Sequence, residues 1–294
     1  MPLLRTAAVF AAVLVVAACG SASPPPAGPS VVASTDVYGA VASAVGGDSV
    51  EVTSLIRSAD ADPHEYEPTP ADTLAVSRAT VFIANGGGYD DFAVKLYDAA
   101  DNKPISVVVT ALSGLNTDAP DFNEHVWYDL PTVKKLADYL ATSLGAADQP
   151  NANRYLDNGK KFDAQVDDLM AKVAAIKAKH AGAKVAITEP VPGYLLDAAG
   201  LVVVTPPEFS EAVEEGTDPP AAVVTANNAT FTEAKVLVEN AQTAGPTTTQ
   251  AEQAAAANRV PVVKVTETLP EGVTDYVVWM NGQVDALAAA LDAR

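Results

Sequence analysis

NANRYLDNGKKFDAQVDDLMAKVAAIKAKH, residues 151–180, is the stretch that decides how the rest of the chain is arranged. Tyr155, Phe162, Val166, Leu169, Val173 and Ile176 recur at spacings of seven, four and three, with charged or small residues between them. That period places one apolar stripe on a single long helix. A helix of 30 residues is about 45 Å long, enough to span two domains as a rigid beam. His180, in KAKHAG, sits at its end, where a histidine complements the helix dipole.

On the N-terminal side of this helix, apolar runs alternate with amphipathic ones. VVAS (31–34), SVEVTSLI (49–56), ATVFIAN (79–85) and ISVVVT (105–110) read as strands, with GGG (86–88) ending the third. PTPADTLAVSRA (68–79), with Thr69 as N-cap and Pro70 at the first position, reads as a helix. YDDFAVKLYDAA (89–100) and DLPTVKKLADYLATSLG (129–145, closing at Gly145) also read as helices. On the other side, AKVAIT (183–188), LVVVT (201–205), AAVVTA (221–226) and VPVVKVT (260–266) read as strands. PVPGYLLDAAG (190–200) reads as a turn leading into a helix, and FTEAKVLVENAQ (231–242) and DYVVWMNGQVDALAAALDAR (275–294) read as helices. PPEFSEAVEEGTDPP (206–220) reads as a loop with a short helix, and a polar, Thr-rich stretch follows residue 242. Alternating strands and helices predict an α/β fold with mostly parallel sheets. The expected division is an N-terminal lobe at 31–150, the linking helix at 151–181 and a C-terminal lobe at 182–294.

The formal net charge of −19 argues against nucleic acid as a partner and against an anionic membrane bound through a basic patch. The opening MPLLRTAAVFAAVLVVAACG reads as a signal peptide over 1–18, since its apolar run is shorter than a membrane span. Ala17 and Ala18 before Cys19, with Gly20 after it, resemble a bacterial lipobox. That resemblance implies cleavage before Cys19 and a lipid anchor on it. Cys19 is the single cysteine, so no intramolecular disulfide is available. GSASPPPAGPS, through residue 30, reads as a flexible tether.

Four residues stand where an α/β sheet offers its ligand crevice, at or beyond the carboxyl ends of strands or in a loop entering a helix. His64 lies in ADPHEYEPTP, His125 in FNEHVWYDLP, Glu189 after AKVAIT and Glu267 in VTETLPEG. Two imidazoles and two carboxylates, two residues from each half, make a set for a divalent metal. Imidazole suits zinc, iron and nickel, and carboxylates shift the preference toward manganese. Asp129 has two roles open to it, accepting an imidazole N–H from His125 or capping the following helix. Glu65 and Glu67 flank His64, facing solvent or supporting the site. Trp127 and Trp279 read as packing residues. HExxH, GxSxG and P-loop motifs are absent, and the chain is not expected to be an enzyme.

DPHEYEPTP, ANGGGYDDF, EHVWYDLP, ITEPVPGYLL and WMNGQVDALAAAL, in this order and spacing, resemble the zinc- and manganese-binding receptors of bacterial ABC importers. The resemblance covers almost the whole chain after Cys19. It implies two α/β lobes joined by one long helix, with a metal between them as cargo. It also implies an ABC permease and its ATPase as partners, and an extracytoplasmic, lipid-anchored, monomeric protein. His64 matches the family's first ligand, His125 the second and Glu189 the third. That third position is histidine in typical zinc receptors and glutamate in typical manganese receptors. Glu267 stands where the family usually has aspartate, one methylene shorter. The set favours Mn2+, with Zn2+ close behind and iron after it, and the chain lacks the histidine-rich loop of many zinc receptors. Two other readings stay open: a surface adhesion lipoprotein of the same fold, and a metallohydrolase with Glu65 or Glu67 as base.

Overall fold

The computed structural model describes residues 28–57, 63, 66–120 and 122–293. The signal peptide, Cys19, most of the tether and His64 lie outside the described residues.

The first half runs β1 (Ser30–Thr35), α1 (Asp36–Gly46), β2 (Glu51–Ile56), α2 (Pro70–Arg78), β3 (Val81–Ala84), α3 (Asp91–Ala99), β4 (Ile105–Val108), α4 (Val109–Ser113) and α5 (Leu130–Ala147). The long helix α6 (Ala152–His180) follows. The second half runs β5 (Lys184–Ile187), α7 (Gly193–Ala198), β6 (Val202–Val203), α8 (Pro207–Glu214), α9 (Ala221–Thr230), β7 (Leu237–Asn240), α10 (Pro246–Ala257), β8 (Val262–Val265) and α11 (Tyr276–Asp292). Each half holds one four-stranded sheet, ordered β2-β1-β3-β4 and β6-β5-β7-β8, and every pairing is parallel. The two orders are the same pattern used twice. In each sheet the connection reverses direction beside the first strand, which opens a crevice at the strands' carboxyl ends.

Local chemistry accounts for the element ends. Thr69 caps α2 through a reciprocal pair, its backbone N–H donating to Asp72 Oδ2 at 2.7 Å and its hydroxyl accepting from the Asp72 N–H at 3.4 Å. Tyr66 donates to the same carboxylate at 3.1 Å and packs its ring on Phe92 at 4.6 Å, which anchors the segment entering α2. After β3 the chain turns through Gly86, Gly87 and Gly88, all at positive φ. A Cβ on Gly86 would lie 2.5 Å from Val108, and one on Gly87 2.7 Å from Phe122, so this turn admits only glycine.

The helix α6 has 29 residues and buries every residue of the expected stripe, from Tyr155 to Ile176. It packs on α1 and α5 of the first half of the chain and on α7 and α11 of the second. Gly159 lets α5 approach, since a Cβ there would meet the Ala141 methyl at 3.3 Å. One hydrophobic core therefore runs from Val31 through α6 to Leu291. Lys172–Asp285 at 2.8 Å and His180 Nε2–Asp292 at 2.7 Å clamp α6 to α11 on the surface. Tyr276 donates to the Trp127 carbonyl at 2.7 Å, and Tyr128 to the Thr266 carbonyl at 2.7 Å, so the second half holds the turn that follows His125. Trp127 and Trp279 are buried in this core.

Several elements differ from the sequence reading. AAVVTA is the start of helix α9 and not a strand. Pro220 precedes it as N-cap, and α9 buries little beyond Asn227, so the short β-branched run does not mark a sheet position. FTEAKVLVENAQ is not a helix: Leu237–Asn240 within it is β7, paired between β5 and β8. The Thr-rich stretch is helix α10, opened by Pro246 and stabilised by its alanines. Helix α5 continues through Gly145 to Ala147, because Gly145 is buried against Ala152 and not at a left-handed end. The strand β4 stops at Val108, where α4 begins.

Candidate metal centre

His125 is 1% exposed and stands at the start of a single 3-10 turn, Val126–Tyr128. Its ring lies between Tyr89 and Trp127, with centroids 5.8 and 5.1 Å away. Asn123 fixes its orientation. The Asn123 Oδ1 accepts the His125 backbone N–H at 3.0 Å and lies 2.7 Å from His125 Nδ1. The other amide atom, Nδ2, donates to the Pro190 carbonyl at 2.8 Å, which fixes which way the amide faces. Nδ1 therefore carries the proton, and the lone pair of the neutral ring is on Nε2. Gly193 makes room for this link, since a Cβ there would sit 2.7 Å from Asn123 Nδ2. Asn85, one residue past β3, donates to the Glu124 carbonyl at 3.0 Å and supports the same loop.

Asp129 takes the capping role. Its Oδ2 accepts from the Thr132 N–H at 3.2 Å and the Thr132 hydroxyl at 2.5 Å, which closes the first turn of α5. Of the two roles open to Asp129 the structure shows the helix cap, and the group at His125 Nδ1 is Asn123.

Glu189 and Glu267 are 2% and 8% exposed, two residues beyond β5 and β8 respectively. Asn240, the last residue of β7, joins them: its Nδ2 donates to Glu189 Oε2 and Glu267 Oε1, both at 2.8 Å. Asn240 stands beside β5 where the strand order reverses, so this bridge crosses the mouth of the crevice. Its Oδ1 accepts the Gln242 N–H at 3.2 Å, and Gln242 Oε1 accepts the N–H groups of Glu267 at 2.5 Å and Thr268 at 3.0 Å. Thr243 donates its hydroxyl to Glu189 Oε1. Burial, and after it the charge and hydrogen bond of Glu267, push the Tyr89 phenol well above its usual range.

Glu214, at the end of α8, completes the group. Its Oε1 lies 3.6 Å from His125 Nε2. Burial, then the charges of Glu124, Glu189, Glu267 and Glu215, push its carboxyl up to about 8. Glu124, His125 and Glu214 offer ligand atoms all within 4.8 Å of one another. The structure thus brings His125 together with Glu124 and Glu214, and joins Glu189 to Glu267 through Asn240. Carboxylate oxygens and an imidazole nitrogen within 4.8 Å of one another are suited to a cation.

Asn123, Asn240 and Glu214 are absent from the sequence reading. Asn123 was within reach, two residues before His125 in FNEHVWY. Asn240 lay inside the segment read as a helix. Glu214 carries no local signal, because its partner is 89 positions earlier in the chain.

Residues 31–290 match the model of the family described as zinc-uptake complex component A, periplasmic. The chain belongs to this family. Similar to it is the manganese-binding lipoprotein MntA of Halalkalibacterium halodurans, 28% identical over 161 residues, or 53% of each chain. The chain thus spans about half the length of the curated relatives it matches. Among solved structures, the periplasmic zinc-binding protein TroA of Treponema pallidum superposes with a TM-score of 0.75 at 18% identity, over 90% of this chain and 99% of the other. The SBP FpvC of P. aeruginosa in complex with Ni2+ gives 0.74 at 22% identity, over 90% and 97%. The likeness to these two solved structures is one of fold. No helix among the described residues is long and apolar enough to cross a membrane.

Proposed function

We propose that this chain is an extracytoplasmic receptor that captures a divalent transition metal, Mn2+ ahead of Zn2+, and delivers it to an ABC permease with its ATPase. What supports this reading is buried His125 beside Glu124 and Glu214, together with the buried pair Glu189 and Glu267 that Asn240 bridges at the strand ends of the second half. His125 Nε2 supplies nitrogen, Glu189 and Glu267 supply oxygen, and His64 is the fourth ligand. In this reading residues 31–150 and 182–294 are the lobes and 151–181 the beam between them. The chain works as a monomer held at the cell membrane by a lipid on Cys19, and it binds its cargo without turning it over.

The preference for Mn2+ follows from the donor set. Carboxylates outnumber imidazoles among the buried groups, and hard oxygen donors suit manganese better than zinc. Zinc still binds strongly by the general affinity order of divalent ions, so bench affinity alone does not rank the two cargoes. Support comes from relatives named for manganese and from the family model described for zinc uptake.

The test is calorimetric titration of Mn2+ and Zn2+ into the wild-type protein and into His64→Ala, His125→Ala and Glu189→Ala. One equivalent bound by the wild type and sharply weakened binding in each variant is the expected result. Undiminished binding of both metals in all three variants would overturn the assignment.

A further inference from the structure

The pairing of β7 with β8 ends at Asn240 opposite Val265, and the Ala241 N–H donates to the Val265 carbonyl at 2.9 Å. In a continued parallel ladder the next donor would be the Glu267 N–H, reaching for a backbone carbonyl. Here it meets a side chain instead. Residues 266–269 carry Glu267 away from the sheet, and each of their backbone N–H groups is accepted by a side chain. Gln283 Oε1 accepts from Thr266 at 3.3 Å, and Asp36 Oδ1 from Leu269 at 3.2 Å. The N–H groups between them, of Glu267 at 2.5 Å and Thr268 at 3.0 Å, share one oxygen, Gln242 Oε1. Gln242 Nε2 also donates to the Thr268 hydroxyl at 2.8 Å, so one side chain grips two consecutive residues. Thr268 and Glu267 are both buried, so water has little access to replace that grip.

We propose that Gln242 is the positioning residue for Glu267: its side chain stands in for the missing strand partner and sets where the Glu267 carboxylate meets the metal. This rests on the receptor reading above, in which Glu267 is a ligand. A glutamate side chain already loses rotamer freedom when a metal fixes it, and a loose backbone beneath it adds to that cost. The Gln242 clasp removes the second part before the metal arrives. Glu189 has its own supports, the Thr243 hydroxyl and the Asn240 amide. The Gln242 backbone N–H separately donates to Asn240 Oδ1 at 3.2 Å, which turns the amide nitrogen toward the two carboxylates. A change in the Gln242 side chain leaves that backbone bond in place, so its effect on the ligand pair falls on Glu267 and not on Glu189.

The experiment titrates full chains with Mn2+ and, separately, with Zn2+, whose tighter general binding keeps weakened sites measurable. Gln242→Met keeps the length of the side chain and removes its oxygen and nitrogen. It is made alone, with Glu189→Ala and with Glu267→Ala. Thermal melts with chelator confirm that each chain is folded. Gln242→Ser, whose small side chain admits water, carries the test if Gln242→Met melts below the titration temperature. Alone, Gln242→Met should lose roughly 10–100-fold in affinity, the scale for groups that hold metal ligands in place. That loss should persist with Glu189→Ala and shrink to less than about twofold with Glu267→Ala, because the carboxylate that Gln242 places is gone. Gln242→Glu is the rescue. Its carboxylate accepts the same N–H groups and the Thr268 hydroxyl turns to donate, so affinity should stay within about threefold of the wild type. Unchanged affinity in Gln242→Met, equal losses in the Glu189→Ala and Glu267→Ala backgrounds, or a loss in Gln242→Glu as large as in Gln242→Met would overturn the proposal. If Glu267→Ala alone binds both metals like the wild type, the receptor reading of Glu267 as a ligand fails instead.

Discussion

Asn240→Ala tests how the site tolerates its own charge. The amide donates to Glu189 and Glu267 at 2.8 Å each, and both carboxylates are buried. A hydrogen bond to a charged group contributes about 1.5–3 kcal/mol, so removing two costs roughly 3–6 kcal/mol before water enters the gap. With water partly replacing the amide, a loss of about 3 kcal/mol is expected in the metal-free protein. A metal ion attracts the same two oxygens and replaces the amide as their bridge, so the metal-loaded protein should lose only about 1 kcal/mol. In a chain of this size 1 kcal/mol moves Tm by about 2–4 °C. The metal-free variant should melt roughly 6–12 °C below the wild type, and the Mn2+-loaded variant only about 2–4 °C below it. Linkage then requires the folded variant to bind metal more tightly, by roughly tenfold for each 1.4 kcal/mol of the difference. The assay is paired thermal melts with chelator and with saturating Mn2+. Equal drops in both conditions, or a larger drop with metal, would refute the reasoning.

Other perturbations have equally definite outcomes. Asn123→Ala frees the His125 ring from its one-sided orientation, and calorimetry should show metal affinity falling about 10–100-fold with little change in Tm. Asp36 accepts the Leu269 N–H at 3.2 Å across the two halves, and burial chiefly raises its carboxyl from 3.8 to about 6. The folded state thus favours the protonated form: the contribution is fully present below pH 3.8 and is lost as pH rises through about 6. Discounted for the solvent that reaches it, the loss is about 1–2 kcal/mol, so Asp36→Asn should melt above the wild type at pH 7.5 and lose most of that gain by pH 4.5. A gain that stays constant across that range would contradict this. Leu169→Ala, in the buried stripe of α6, should cost about 2–5 kcal/mol in denaturant unfolding, and Leu156→Ala, which is 43% exposed on the same helix, within about 0.5 kcal/mol.

The parts of the fold that could be read in the sequence are those where pattern and burial agree. The stripe of α6 is apolar at each contact, β3 is an unbroken apolar run, and β1 and β8 are apolar at most of their buried positions. In one misread element function overrides pattern. The strand β7 buries Glu239 and Asn240, polar residues that break the apolar run a central strand usually shows, and Asn240 is there because the site needs an amide. In α9 the β-branched residues face only partial burial, so their strand preference has no sheet to act on. Within the site, Glu189 and Glu267 were accessible because strand ends in an α/β sheet are ligand positions. Glu214 and Asn240 were not, because their roles come from contacts made across the crevice, which no local spacing encodes.

The most direct test of the central claim is a crystal structure of the Mn2+-loaded protein with anomalous data at the manganese edge. The account predicts one strong peak within bonding distance, about 2.0–2.3 Å, of His125 Nε2 and of oxygens from Glu189 and Glu267. A peak elsewhere on the molecule, or none at this cluster at full Mn2+ occupancy in solution, would contradict it.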